Sequence, residues 1–464
     1  MHELVTLQAE IGEPARAPLP QTNGNGPRVY IRTYGCQMNV SDSQTIESML
    51  AESGYRFCET PEEADVVLVN TCMIRESAEV RALGQLANLS VLKKSNPSRV
   101  IGILGCVAQA KRKEIIESHP YVDMVVGPDS YRRLPIMLEE RFITPPGTPG
   151  LLETTLMREE LYDDIMPRHH GGVTAFVTII RGCDKFCSFC VVPRTRGRER
   201  SRPLPSVLRE VEHLVSQGVR DVMLLGQNVD SYRWEGRDFA DCLAAVADMP
   251  GVVRVRYMTS HPTDISDKLL RTMGEHPKIC PYLHLPVQAG NNRVLKEMNR
   301  PYTREHYLGI IERARKYVPD IALSTDVIVG FPTETEAEFE ETFSLMNEVR
   351  YDTAFMFKYS ERPLTKASKL DDDIPDDVKV ARLERLIALQ QTVARERNEA
   401  QVGRATEILI EGPAPKDNNM WAGRTPDFRP VVLPRNGEQV GDLIKVRLDS
   451  LTGFTFHASR IFDN

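Results

Sequence analysis

Residues 174–203 read TAFVTIIRGCDKFCSFCVVPRTRGRERSRP, and this stretch decides how the rest of the chain is read. It opens on TAFVTII, a β-branched and apolar run that predicts a strand. Cys183, Cys187 and Cys190 follow at once, spaced Cys-x3-Cys-x2-Cys. A structural zinc site closes a tetrahedron with four ligands, commonly from paired Cys-x2-Cys elements. Only three cysteines stand here, and no histidine lies nearby to complete such a set. A cubane [4Fe–4S] cluster on three thiolates fits the count and leaves one iron open to a substrate. Zinc stays as the competing reading on spacing alone.

Downstream, further strands are expected at DVMLLGQ (221–227), VRVRYMT (253–259), YLHLPVQ (282–288), IALSTDVIVG (321–330) and TAFMFKYS (353–360), with helical segments between them. Six strand–helix units predict a partial parallel (β/α)6 barrel whose active face lies at the strand carboxyl ends. The cysteine cluster sits at such an end. Upstream, RVYIRTYG (28–35), ADVVLVN (64–70), RVIGILG (99–105) and YVDMVVG (121–127) alternate with helical SDSQTIESMLAES, which Ser41 is expected to cap, IRESAEVRALGQLANLSVLKK and AQAKRKEIIES. That pattern implies a small doubly wound parallel domain.

Cys36, Cys72 and Cys106 each follow one of its first three strands. Strand carboxyl ends share one edge of a parallel sheet, so these distant residues are expected to converge on one metal centre. Cys58, Cys242 and Cys280 stand alone and read as small buried apolar residues.

The fold class is therefore α/β, with a third region at the end. A long amphipathic helix, VKVARLERLIALQQTVARERNEAQ (378–401), leads into TEILIEG, VVLP, LIKVRL and FTFHASRI, short runs that predict a small all-β barrel. The expected division is a disordered tail over 1–26, an N-terminal domain over 27–143, a Pro- and Gly-rich linker over 144–170, a core over 171–400 and the β-barrel over 401–464. His169 and His170 in the linker read as solvated.

The N-terminus lacks the basic start and apolar core of a signal peptide, and no apolar run is long enough to cross a bilayer, so a cytoplasmic protein with no membrane partner is expected. In a reducing compartment metal ligation or burial, not disulfide formation, must account for nine cysteines. The net charge of −7 disfavours a bulk nucleic-acid binder. Locally, RTRGRERSR (194–202) sets five arginines against one glutamate; the competing reading is a solvated surface.

The motifs TYGCQMNVSDS, NTCMIRESA, LGCVAQ, GCDKFCSFCVVPRTRGRERSRP, LLGQNV, TSHP, LHLPVQ and STDVIVGFP occur in this order. Together they resemble those of the radical-SAM methylthiotransferases, over everything from about residue 27 onward. The resemblance implies two [4Fe–4S] clusters, an auxiliary one on Cys36, Cys72 and Cys106 and a radical-SAM one on Cys183, Cys187 and Cys190. It implies S-adenosyl-L-methionine as cofactor, with Gln227, Asn228, Gln288 and Asp326 at strand ends as candidates to hold it; capping hydrogen bonds within loops are the competing role. It names the terminal barrel a TRAM domain.

The implied reaction replaces an unactivated C–H of a tRNA adenine with a methylthio group, work that belongs to cofactors and not to acid–base side chains. CQMNVSDS around the first cysteine resembles the branch acting on N6-isopentenyladenosine beside the anticodon. Other branches act on threonylcarbamoyl-adenosine or on a ribosomal protein. A non-catalytic iron–sulfur RNA-binding protein is the reading from another class, though a structural cluster gains nothing from an open iron.

The partners implied are tRNA and a reductant protein such as a flavodoxin or ferredoxin; the sulfur source stays open. Arg194, Arg196 and Arg198 are candidates for phosphate or for the adenosylmethionine carboxylate. Residues 401–464 carry eight basic and eight acidic residues, so RNA affinity there must come from arrangement, with Arg424, Phe428 and Arg429 as candidates. One departure stands out: where similar enzymes often read YSPRPGTPA, this chain reads YSERPLTKA (359–367), with Leu364 in place of glycine.

Overall fold

The computed structural model describes residues 26–73 and 76–462. The expected tail, apart from Gly26, and two residues of NTCMIRESA lie outside that range. Strands β1 (Arg28–Tyr34), β2 (Arg56–Phe57), β3 (Val66–Thr71), β4 (Val100–Gly105), β5 (Met124–Val126) and β6 (Leu151–Glu153) form one parallel sheet, ordered β2-β1-β3-β4-β5-β6. Helices α1 (Gln37–Glu52), α2 (Glu76–Ser95), α3 (Cys106–Lys111), α4 (Lys113–Ser118) and α5 (Leu134–Ile143) connect it. Every residue of β3 and β4 is buried, as two covered faces require, which is why VVLVNT and VIGILG are almost wholly apolar. Sheet growth reverses between β1 and β3, the place where open α/β sheets bind ligands.

Three expectations are corrected here. The first helix starts at Gln37 with Cys36 as its N-cap, not at Ser41. The third helical stretch is two short helices, broken at Arg112 with φ +45°. Part of the stretch read as linker is β6, which pairs in parallel with β5; three residues were too short a signal among prolines and glycines.

All six expected core strands form. β7 (Thr174–Thr178), β10 (Asp221–Leu225) and β13 (Arg254–Tyr257) make one parallel sheet; β14 (Tyr282–His284), β15 (Ala322–Val329) and β16 (Thr353–Lys358) make another. A parallel bridge from Val255 to Ile279 links the first sheet to the approach to β14. Between β7 and β10 lie β8 (Ile180–Arg181), α6 (Val192–Thr195), β9 (Arg200–Ser201) and α7 (Leu204–Ser216). The antiparallel pair β8–β9 ties off the loop that carries the second cysteine set. A small hairpin, β11 (Arg233–Trp234) with β12 (Arg237–Asp238), precedes α8 (Phe239–Ala247). α9 (Asp267–Glu275), α10 (Asn292–Glu297), α11 (Arg304–Tyr317) and α12 (Glu336–Val349) complete the core.

Helix α13 (Asp376–Glu399) leads to a closed barrel of β17 (Ala405–Ala414), β18 (Asp417–Arg424), β19 (Pro430–Pro434), β20 (Leu443–Thr452) and β21 (Thr455–Arg460), ordered β17-β18-β19-β21-β20. The sequence pattern missed β18 because DNNMWAGR opens on three exposed polar residues and carries no β-branched side chain. Two buried arginines of β13 seat the barrel on the core. Arg254 donates to the Glu407 and Arg424 carbonyls, and Arg256 to those of Thr425 and Pro426 while also pairing with Asp221 at 2.9 Å. Leu364, the residue in place of glycine, has φ +69° and so takes a backbone conformation that suits glycine, at a cost of about 1–2 kcal/mol. Its loop matters because the Ala367 amide donates to the Ser188 carbonyl between the cysteines at 2.8 Å.

Candidate metal centres

The last residues of β1, β3 and β4 are in register: Tyr34 pairs with Thr71, and Thr71 with Gly105. Adjacent strands lie about 4.8 Å apart, so Cys36, Cys72 and Cys106 leave one sheet edge side by side. Two glycines permit the turns. Gly35 has φ +154°, and a Cβ there would stand 2.6 Å from that of Cys72; Gly105 has φ +89°, and its Cβ would meet the Thr71 carbonyl at 2.5 Å. A buried amide pair then fixes the turn: Asn39 Nδ2 donates to Asn70 Oδ1 and the Thr71 carbonyl, and Asn70 Nδ2 donates to the Asn39 carbonyl and Ser43 Oγ. Asn39 Oδ1 in turn accepts from the Cys36 amide and thiol, both at 3.4 Å.

The Cys72 thiol's hydrogen bond, the Arg196 charge and backbone amides outweigh burial and bring Cys36 down to about 6. Burial instead pushes Cys106 up, with Arg196 opposing. Arg196, on the core side, thus lies within reach of two cysteines of the N-terminal sheet.

That placement corrects the reading of the arginine run. Arg196 and Arg181 are both 3% exposed and share Asp42 of α1, at 2.7 and 3.1 Å. Arg200 pairs with Asp129 and Arg202 with Glu210, all four buried. Arg196, Arg200 and Arg202 are therefore interior charges: the first two join the N-terminal domain to the core, Arg202 stays within the core, and Arg196 is not free for phosphate. Arg194 and Arg198 are the exposed members, Arg198 pairing with Asp184. Removing one partner of a buried pair costs about 3–5 kcal/mol. Asp42→Asn strips the countercharge from two guanidiniums at once, so its urea midpoint should fall well below the parent's. An unchanged midpoint would mean that this junction carries no stability.

The second set hangs on a loop held from four sides. Gly182, with φ +78°, precedes Cys183 and packs where a Cβ would meet the Arg198 carbonyl at 2.1 Å. Gln227 Oε1 accepts from the Gly182 amide at 2.6 Å. Ser188 bonds the Met298 and Glu297 carbonyls, and Asn299 Nδ2 donates to the Phe186 carbonyl at 2.8 Å. Arg300 is buried beside Cys187 and Cys190, and its Nε has no partner among the described residues. Burial and mutual repulsion push Cys190 up to about 12, and burial first of all brings Cys183 to about 11. Such thiols lose their protons when a metal takes them.

The sequence supplies three thiols to each set. Among the described residues no three His, Cys, Asp or Glu side chains close on a single ion. The donor chemistry fits a cluster with one open iron.

Of the cofactor candidates, Asn228 Nδ2 is tied to Asp264 at 2.6 Å, while its buried Oδ1 has no partner among the described residues. The buried Oε1 of Gln288 likewise has none, and its amide donates to the Asp326 carbonyl. Asp326 lies 3.6 Å from His284 Nε2. In the barrel, Arg429 is buried among Asp352, Asp427 and Asn398, which corrects its reading as a phosphate contact. Arg424 pairs with Glu411, and Phe428 is half-buried against the core. His170 is not solvated: Nε2 meets Glu47 at 2.5 Å. Cys58, Cys242 and Cys280 are buried as expected.

Sequence reading missed Asn39, Asp42, Asn70, Asp129, Asn299 and Arg300. The first three sit inside CQMNVSDS and VLVNT, and polar residues within apolar-edged motifs were the available signal.

Residues 28–127 match the uncharacterized protein family UPF0004, and residues 177–346 match the Radical SAM superfamily. The chain is 46% identical to a tRNA-2-methylthio-N(6)-dimethylallyladenosine synthase of Chloroherpeton thalassium over 92% of this chain and 95% of that protein. It is 45% identical to the protein of that name from Porphyromonas gingivalis, over 92% and 94%. A solved radical S-adenosylmethionine methyltransferase, TsrM from Kitasatospora setae, shares the fold with TM-score 0.55 at 13% identity, over 74% of this chain and 77% of that one.

Proposed function

Because the chain belongs to the tRNA-2-methylthio-N(6)-dimethylallyladenosine synthases, we infer that it methylthiolates C2 of N6-isopentenyladenosine in tRNA, beside the anticodon, as a radical-SAM transferase. It uses S-adenosyl-L-methionine and [4Fe–4S] clusters. One observation carries the reading at residue level: two three-cysteine sets sit on adjoining sheet edges, locked together by Asp42, Arg181 and Arg196.

In our reading Cys36, Cys72 and Cys106 hold one cluster, and Cys183, Cys187 and Cys190 the other. Bound there, the clusters supply reductive cleavage of adenosylmethionine and delivery of sulfur, chemistry no side chain offers. The chain's own residues position and enclose. Gln227 and Asn299 fix the loop of the second set. Asn228 and Gln288 offer buried oxygens suited to the ammonium of adenosylmethionine, and Asp326 a carboxylate. Arg300 brings positive charge beside the second set, as Arg196 does beside the first.

We assign residues 27–143 with β6 to the N-terminal domain, 171–400 to the core and 401–464 to a TRAM domain, and take the two three-stranded sheets as halves of one partial barrel. tRNA meets the exposed Arg194 and Arg198, with Arg424 and Phe428 at the barrel's edge. Among the described residues no helix is long and apolar enough to cross a membrane. We place the enzyme in the cytoplasm, with a flavodoxin or ferredoxin as reductant.

The test is mass spectrometry of tRNA nucleosides from cells with and without the gene. 2-Methylthio-N6-isopentenyladenosine should appear only where the chain is present. Isopentenyladenosine accumulating equally in both would overturn the reading.

A further inference from the structure

The side chains of β10 divide by parity. Val222 and Leu224 join the large core packed by the helices, while Met223 and Leu225 point the other way. There they pack with Met38 of α1 as a buried trio. Phe176 of β7, Met258 after β13, and Phe428 from the turn between β18 and β19 lean on that trio and keep partial exposure. All three regions of the chain thus contribute to one apolar patch. Cys36, of the first cysteine set, packs against the same trio. The neighbouring inner face of β14 and β15 is polar by contrast: Tyr282 Oη donates to Ser324 Oγ at 2.7 Å, and His284 Nδ1 meets it at 2.8 Å.

Phe428 is held there deliberately. Its φ of +74° is unfavourable for a bulky residue, and such strain persists only where the surroundings over-determine it. The Arg256 guanidinium lies 4.8 Å from its ring and that of Arg424 5.2 Å, with the Tyr282 ring at 5.3 Å. Arg256 also grips the Thr425 and Pro426 carbonyls, and Arg429 anchors the end of the turn on Asp352 and Asn398. A tip needing only solvent contact requires no such clamp.

We propose that this patch, Met38, Met223, Met258, Phe176 and Phe428, seats the dimethylallyl group of the substrate adenine and sets the preference for prenylated tRNA. The inference rests on the reading that the chain acts on that nucleoside. The group is a branched five-carbon apolar chain on N6. N6 and C2 flank N1 on one edge of the adenine ring, so a prenyl group seated beside Cys36 leaves C2 facing the first cysteine set. Thioethers adapt to such a chain, and aromatic faces wall it.

The probes are two anticodon stem-loop RNAs differing only in dimethylallyladenosine against adenosine, titrated into the reconstituted holoenzyme by fluorescence anisotropy. The parent should bind the prenylated RNA more tightly. In Phe428→Ala and, independently, in the partly exposed Met258→Thr, the ratio of the two affinities should fall about tenfold, the scale on which an apolar pocket discriminates a missing hydrocarbon group. Phe428→Leu should restore most of it. A ratio unchanged in both variants, with or without an overall loss of affinity, overturns the proposal, as does a parent ratio of one. Failure of the parent to methylthiolate the prenylated stem-loop would instead overturn the function itself.

Discussion

A Cys183→Ala, Cys187→Ala, Cys190→Ala triple variant is expected to produce no deoxyadenosine from adenosylmethionine and to hold about half the parent's iron, roughly four of eight atoms per chain on the ligand count. The loop that carries these thiols is fixed by residues the substitutions leave alone: Gln227 on the Gly182 amide, Asn299 on the Phe186 carbonyl and the Glu297–Met298 carbonyls on Ser188. Alanine fits the same backbone, so the loop should keep its shape while losing its donors. The N-terminal sheet, with its own three thiols and the Asn39–Asn70 amide pair, is untouched. Iron assay and product chromatography on anaerobically reconstituted protein measure both quantities. Full iron retention would remove the second cysteine set from the metal-binding account.

Much of this arrangement could be read before any coordinates. A strand in a parallel sheet announces itself by a buried apolar run, and a cysteine immediately after such a run is placed by topology alone. That logic located Cys36, Cys72 and Cys106, and local spacing located the other three. The arginine run shows where the logic stops. Arg196, Arg200 and Arg202 look like surface charge until Asp42, Asp129 and Glu210 are seen beside them. Those partners lie in other elements, two of them across a domain junction, and no local pattern announces a long-range ion pair. The burial of Arg429, read from sequence as an RNA contact, was illegible for the same reason, since Asp352 belongs to the core.

β18 and β6 failed differently. The first opens on three exposed polar residues, Asp417, Asn418 and Asn419, and the second is only three residues long at the end of its sheet. Leu364 holds φ +69°, a backbone conformation that suits glycine, and nothing in the sequence around it announces that.

The two cysteine sets come from different sheets, so their contributions should separate cleanly on mutation. A Cys36→Ala, Cys72→Ala, Cys106→Ala variant keeps the Cys183 loop and every residue that holds it. It also keeps Asp42 paired with Arg181 and Arg196, so the junction between sheet and core should survive. Gly35 and Gly105, whose conformations shape the turns, stay in place as well. What it lacks is the three thiolate donors at that sheet edge, where our reading places the sulfur to be transferred.

The most direct measurement of the central claim is to quantify deoxyadenosine and methylthiolated nucleoside together from this variant, with isopentenylated tRNA as substrate. Deoxyadenosine without detectable methylthiolated nucleoside is the predicted result. Methylthiolated nucleoside made without Cys36, Cys72 and Cys106 would contradict the assignment of these three residues as the sulfur-delivering site.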